Sequence, residues 1–219
     1  QMPNGGPGAA YIFRTSDGGA SYDQVAKLTA SDGALDDRFS AFLAIEGGTV
    51  VIGAPRDDDS GTNSGSAYVF RTNDGWATYS FVAKLTADDA AAGDYFGKEV
   101  EIEDGVVAIG ACAPPGIEPS GGEAVYIFHA SDDGLTYSQV AKLTAADGVA
   151  GDRFGWAVAI ADGKVVVGAY QNYDGGTDLG SVYIFSQPPD PTMLPTSVPS
   201  PRPTLRPTPM PTPLPSTAV

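Results

Sequence analysis

The side chains best suited to chemistry in this sequence are acidic. Asp57, Asp58 and Asp59 stand in a row with Asn63 close behind, and Asn172, Asp174 and Asp178 form a second oxygen-rich stretch that also carries glycine. Carboxylate and amide oxygens grouped in a glycine-bearing loop are the ligands a hard cation takes. Asp57, Asp59, Asn63, Asp174 and Asp178 are therefore the candidate calcium ligands, and calcium is the one cofactor the sequence suggests. The alternative is a pair of ordinary polar turns. The stretch between them, 112–122, offers only Glu118. For proton transfer or nucleophilic attack the inventory is thin. His129 is the sole histidine, and Cys112, the sole cysteine, has no second histidine or thiolate to activate it. No phosphate-binding loop, zinc spacing or nucleophile elbow is present. No catalytic residue is assigned, and the expectation is a non-enzymatic protein.

These residues sit in a chain that repeats. Tyr11-Ile12-Phe13, Tyr68-Val69-Phe70, Tyr126-Ile127-Phe128 and Tyr183-Ile184-Phe185 recur at steps of 57, 58 and 57 residues. The hexapeptide VAKLTA begins at Val25, Val82 and Val140. Phe39, Phe96 and Phe154 keep the same steps, as do the pairs Gly53-Ala54, Gly110-Ala111 and Gly168-Ala169. Such a period marks a solenoid, a propeller or an array. The repeats divide as 9–30 (partial), 31–87, 88–145 and 146–186 (partial).

Each full period holds four short runs rich in Val, Ile, Tyr and Phe, bounded by turn residues. In the second they are 96–103, 106–111, 124–129 and 137–143. Asp104-Gly105 and Asp162-Gly163 mark two-residue hairpins between the first two runs. No run has a helical period, so the chain reads as all-β. In 154–160 one face carries Phe154, Trp156, Val158 and Ile160, and the other carries Gly155, Ala157 and Ala159. Large residues on one face and small on the other suit a sheet packed between two sheets. Lys27, Lys84 and Lys142 place the fourth run outermost, where a charge also discourages edge pairing. Four-stranded antiparallel sheets of this kind are propeller blades. The strand count is 13, too few to close a ring, so about three blades of a larger propeller are expected, with the remaining blades elsewhere in a longer protein.

The 219 residues carry a formal charge of −15. The segment 187–219 holds one Asp and two Arg, so the acidity belongs to the repeats. That excludes nucleic acid as a partner. No apolar run approaches the ~20 residues of a membrane-spanning helix. Residues 187–219 are dominated by Pro, Ser and Thr. They read as a disordered stalk or linker, the composition of O-glycosylated spacers outside the cell.

Phe96-Gly97 or Phe154-Gly155 opens an inner strand, and Gly-Ala follows about 14 residues later, as Gly53-Ala54-Pro55 in the first full repeat. Together these resemble the FG-GAP repeat that builds the propeller of integrin α subunits and many microbial surface proteins. Phe39-Ser40 departs from the pattern, as do Cys112 and Tyr170 where the motif has proline. The calcium loop of integrin-type repeats lies between the first two strands. Here that place holds only tight turns, so the resemblance carries no calcium ligands over. A second resemblance is to the Asp-box. Thr15-Ser16-Asp17-Gly18-Gly19-Ala20-Ser21-Tyr22 matches it, and 72–79 and 130–137 match with one departure each. It makes Asp17, Asp74 and Asp132 structural residues of the hairpin between third and fourth strands. Asp32, Asp89 and Asp147 recur five residues before Asp37, Asp94 and Asp152, which reads as turn capping between blades.

The resemblance implies an extracellular or cell-surface module for binding, adhesion or scaffolding. Its loops 55–64, 113–122 and 170–180 share one face and face a protein or glycan partner, with Asp58, Glu118, Tyr170 and Tyr173 as contact residues. The competing expectation is part of a sialidase-like glycosidase whose catalytic residues lie outside this sequence. Arg14, Arg38, Arg71 and Arg153 repeat with the period, so they decorate different blades and do not converge.

Overall fold

The computed structural model describes residues 6–117, 122–131, 133–172 and 180–186. Among them are thirteen strands and no helix. β1 (Ala10–Arg14) and β2 (Asp23–Leu28) form a two-stranded sheet. β3 (Phe42–Glu46), β4 (Thr49–Ala54), β5 (Ser66–Arg71) and β6 (Ser80–Leu85) form a four-stranded one. A second is built from β7 (Phe96–Glu103), β8 (Val106–Ala111), β9 (Ala124–Ala130) and β10 (Tyr137–Leu143). β11 (Phe154–Ala161), β12 (Lys164–Ala169) and β13 (Ser181–Ser186) form a three-stranded sheet. Each sheet is an antiparallel meander, the expected all-β architecture of successive blades.

Local chemistry explains the strands. Their interiors are β-branched and aromatic, and the turns between first and second strands are two residues long. Asp104 and Gly105 both have positive φ (49° and 75°), as do Asp162 and Gly163 (52° and 68°). That is the twist-matched hairpin turn Asp-Gly favours. Near the start of two inner strands, β7 and β11, the register slips. Phe96 pairs with Ala111 but Glu99 with Gly110, and Phe154 pairs with Ala169 but Ala157 with Gly168. The bulge expels Gly97-Lys98 and Gly155-Trp156 from the ladder. Trp156 therefore leaves the large-residue face on which strict alternation would place it. In the first full repeat the strand begins only at Phe42, three residues beyond Phe39. The turn is the same, however, since Arg38, Tyr95 and Arg153 accept from the amides of Ala41, Lys98 and Trp156.

The core lies between sheets. Phe39, Phe96 and Phe154 each pack against the Tyr-x-Phe side chains of their own sheet, at centroid distances of 5.3, 5.5 and 5.4 Å from Tyr68, Tyr126 and Tyr183. These large faces meet the small faces of the preceding sheet. Val51, Ala67 and Val69 pack with Phe96, Val107 and Ile109, while Ala108, Val125 and Ile127 pack with Phe154, Val165 and Val167. Burying an aromatic such as Phe96 contributes roughly 2–3 kcal/mol.

The closest approach between sheets is made by backbone. Gly97 has φ 86°, and a Cβ on it would overlap the carbonyl oxygen of Ser66 in the preceding sheet. The carbonyl of Gly97 in turn lies where a Cβ of Gly53 would be. One sheet further on, the Gly155 carbonyl lies against Gly110, and a Cβ on Gly155 would sit 2.8 Å from the Ala124 carbonyl oxygen. Ser40 takes the glycine's place in the first full repeat, and its hydroxyl donates to the matching carbonyl, that of Ala9, at 3.0 Å. Around this contact the amides of Gly93, Tyr95 and Phe96 donate to the carbonyls of Thr62, Asn63 and Ser64 at 2.9, 3.0 and 3.0 Å.

Gly168 occupies the same motif position as Gly53 and Gly110, yet a Cβ there would meet only Ala157, at an ordinary 3.5 Å. Gly53→Ala and Gly110→Ala should each cost about 2 kcal/mol by overpacking, a fall of roughly 5 °C in Tm. Gly168→Ala should be neutral or slightly stabilising. Thermal melts followed by circular dichroism check this, and equal losses at all three positions would contradict it.

Candidate functional site

Asp57 and Asp59 do meet, but around a lysine. Asp32, Asp57 and Asp59 bring carboxylate oxygens within 4.8 Å of one another. The Lys84 ammonium of β6 lies 2.7, 2.9 and 2.5 Å from them. Tyr68 donates its hydroxyl to Asp32 and is also bonded to Asp57, at 3.0 Å each, with Lys84 over its ring at 5.1 Å. Burial works against the charges of Asp32 and Lys84, but their mutual hydrogen bonding outweighs it. The Asp32 carboxyl is held below the usual carboxylate range, and Lys84 above the usual amine range. An ammonium where a metal would sit, among three carboxylates, does not match the six to eight oxygens calcium takes. Asn63 is not part of this group. It has φ 54°, and its backbone amide donates to Asp58 at 2.7 Å. Asp174 and Asp178 lie outside the described residues, with Glu118 and Tyr173.

A second cluster lies at the end of the sheets where β4 finishes and β7 begins. The bulges push Lys98 and Trp156 out here. The Lys98 ammonium is 3.7 Å from the Trp156 ring centroid and 4.6 Å from that of Phe42. Trp156 packs edge-to-face on Tyr170 at 5.0 Å, and Tyr170 is 43% exposed. Beside them a cavity of about 140 Å³ is lined by Arg38, Arg56, Lys98, Phe42 and Tyr95, with Pro55 and Pro114 from two successive loops. Pro55 and Pro114, at the starts of loops 55–64 and 113–122, thus reach the same face. No carboxylate among the described residues forms an ion pair with Arg38, Arg56 or Lys98. Arg56 Nε is buried without a hydrogen-bond partner. Burial pushes the Lys98 pKa down. Five other cations are tied down. Lys84, Lys142 and Arg153 sit on carboxylates, and Arg14 and Arg71 donate to the carbonyls of Gly75 and Asp133. Two larger hollows, of about 470 and 450 Å³, open at the opposite end of the sheets around Arg71.

The FG-GAP repeat model matches residues 22–70, 79–128 and 137–185. The chain belongs to the FG-GAP repeat family. Among solved structures, the crystal structure of Saccharomyces cerevisiae Sqt1 is similar at 11% identity and a TM-score of 0.44. The match covers 84% of this chain and 43% of that one, so the chain spans less than half that protein's length. No curated protein matches by sequence.

The other residues of the FG-GAP blades fall into place. Asp17 accepts from the amide and hydroxyl of Ser21 at 2.9 and 2.7 Å, and Asp74 from those of Thr78 at 2.9 and 2.6 Å. The Thr78 hydroxyl above all holds Asp74 down at about 2. Asp132 lies outside the described residues. Its neighbour Asp133 accepts from the Ser131 hydroxyl at 2.5 Å and the Leu135 amide at 3.0 Å. Turn capping is done by Asp37, Asp94 and Asp152, which accept from the amides of Ala34, Ala91 and Val149. Asp32, Asp89 and Asp147 instead take the hydroxyls of Tyr68, Tyr126 and Tyr183 in the next blade. Cys112 is buried, which pushes its thiol up to about 12 and leaves it protonated.

Two features of these sheets escape a reading by repeats. Glu123 forms a buried ion pair with Arg153 at 3.1 Å and takes the Phe154 amide where Ser64 offers a carbonyl one blade earlier. Lys98 and Trp156 follow the Phe-Gly pair, where the first full repeat has Ala41. Variation at that one place, between neighbours that recur, is the only signal for them.

Lys84→Met should cost about 2 kcal/mol at pH 7, by leaving Asp57 buried without its cation. The Asp32 pKa is lower in the folded chain, so its contribution is present above the ordinary value near 4 and lost as pH falls through the lowered one. The gap between wild type and variant should therefore narrow in urea unfolding at pH 3. A gap of constant size would contradict the assignment.

Proposed function

We propose that this FG-GAP chain is a non-enzymatic extracellular binding or scaffold module. Its loop face presents the Lys98 groove to an acidic group of a protein or glycan partner. One observation carries the reading. In a chain of formal charge −15, three cations without a carboxylate partner among the described residues gather at one cavity, beside exposed aromatic surface. Desolvated cations beside aromatic rings favour an anion, and Trp156 and Tyr170 add the stacking surface that sugar rings and partner side chains use.

Two further features support it. The arginines a sialidase-like enzyme would gather on a substrate carboxylate are dispersed, Arg14 and Arg71 at the far end of the sheets and Arg153 against Glu123. Family membership and the Pro/Ser/Thr-rich stretch 187–219 favour a site outside the cell.

Arrays of acidic glycans and extracellular proteins, probed with the labelled chain, identify the partner for titration. Lys98→Ala and Trp156→Ala should each weaken binding about tenfold, with circular dichroism unchanged, and added salt should weaken the wild type. Undiminished binding in both variants, or release of sugar from a glycan, would contradict the proposal.

A further inference from the structure

The Lys98 groove departs from the repeat at the positions that hold its cations. One blade on, Ala113 and Trp156 stand at the repeat positions of Arg56 and Lys98. Arg153, the counterpart of Arg38, has a carboxylate of its own there, Glu123 at 3.1 Å. Between the two four-stranded sheets Arg38, Arg56 and Lys98 line one cavity, and no carboxylate among the described residues pairs with them.

The size of the cavity restricts what enters. At about 140 Å³ it is well below the roughly 300–1,000 Å³ of sites that enclose a whole small molecule. A compact anionic group fits inside, and the rest of its carrier lies on the surface beside it. The donors restrict the shape of that group. A planar carboxylate offers two oxygens, which a single guanidinium fork satisfies. Here two guanidinium groups and an ammonium line the cavity, and Arg56 Nε is buried with no hydrogen-bond partner. A buried N–H left unpaired costs free energy that a ligand oxygen would recover. A tetrahedral ester presents three free oxygens, one for each cation. The adjoining surface is aromatic. Lys98 lies over Trp156, and the exposed ring of Tyr170 packs on Trp156. Such rings offer the apolar faces on which the C–H face of a sugar stacks.

Building on the reading of the Lys98 groove as a ligand site, we propose that it binds a sugar bearing a tetrahedral oxyanion monoester, a sulfate or a phosphate. The ester enters the cavity, where Arg38, Arg56 and Lys98 each take one oxygen. The sugar ring lies against Trp156 and Tyr170.

The probes are glucose carrying a sulfate or a phosphate on its primary hydroxyl, glucuronic acid with a carboxylate at the same carbon, inorganic sulfate and phosphate, and a sulfotyrosine peptide. Each is titrated into the full chain at up to millimolar concentration by calorimetry. At least one sugar ester should bind about tenfold more tightly than glucuronic acid and than its own inorganic ion, and the tighter of the two esters identifies the anion. Arg56→Gln and Arg38→Gln should each weaken that ester about tenfold, while Arg14→Gln, at the far end of the sheets, should leave it unchanged. Arg38 is exposed, and circular dichroism verifies the fold of each variant. Ester affinity unchanged in a folded variant of either arginine overturns the proposal. So does glucuronic acid or the inorganic ion binding as tightly as the ester, or the sulfotyrosine peptide binding more tightly, and the groove then remains a site for another acidic group. Absence of binding by every one of these anions overturns the proposal together with the reading of the groove on which it rests.

Discussion

A carbonyl oxygen set against the α-carbon of a glycine in the neighbouring sheet determines how closely the blades approach. Gly97 on Gly53 and Gly155 on Gly110 are two instances of one contact. It demands two glycines for different reasons. Gly97 and Gly155 adopt a positive φ and lack a Cβ that would strike a third-strand carbonyl, whereas Gly53 and Gly110 need only the missing Cβ. With the backbones this near, Phe96 and Phe154 reach the core their Tyr-x-Phe partners build, and the small faces of one blade fill against the large faces of the next.

The same contact links packing to the Lys98 groove. The bulge that delivers Gly97 to its neighbour removes Lys98 from the ladder and turns it toward the loop face, and Trp156 follows Gly155 in the same way. The groove is thus a product of how the blades interlock. Charge divides along the same line. Lys84 and Lys142 tie one blade's connection to the next blade's outer strand through Asp32 and Asp89, so much of the acidity is structural. Arg38, Arg56 and Lys98 stand apart from those ties, and a partner of opposite charge would complete them.

The architecture was legible in the sequence because its determinants are local. The period, the strand-forming runs and the Asp-Gly hairpins each lie within a few residues, and β7 and β8 occupy 96–103 and 106–111 as those runs imply. What escaped was long-range. Lys84 reads as an edge guard until the fold carries it 25 residues back to Asp59 and 52 back to Asp32, which turns a calcium-like loop into an ion-pair cluster. Trp156 reads as a core residue until the bulge changes its phase. The groove was beyond reach altogether, since Arg38, Arg56 and Lys98 come from three different segments and converge only when the blades interlock.

Native-state hydrogen exchange tests the interlock most directly. The amides of Gly93, Tyr95 and Phe96 cross from one blade to the previous one, whereas those of β8 lie within a sheet. If the glycine contact makes neighbouring blades one cooperative unit, the crossing amides will exchange with the same opening free energy as the interior amides of β8. Exchange of the crossing amides as fast as that of the Asp104-Gly105 turn, with β8 still protected, would show that the blades fold separately and would contradict the account.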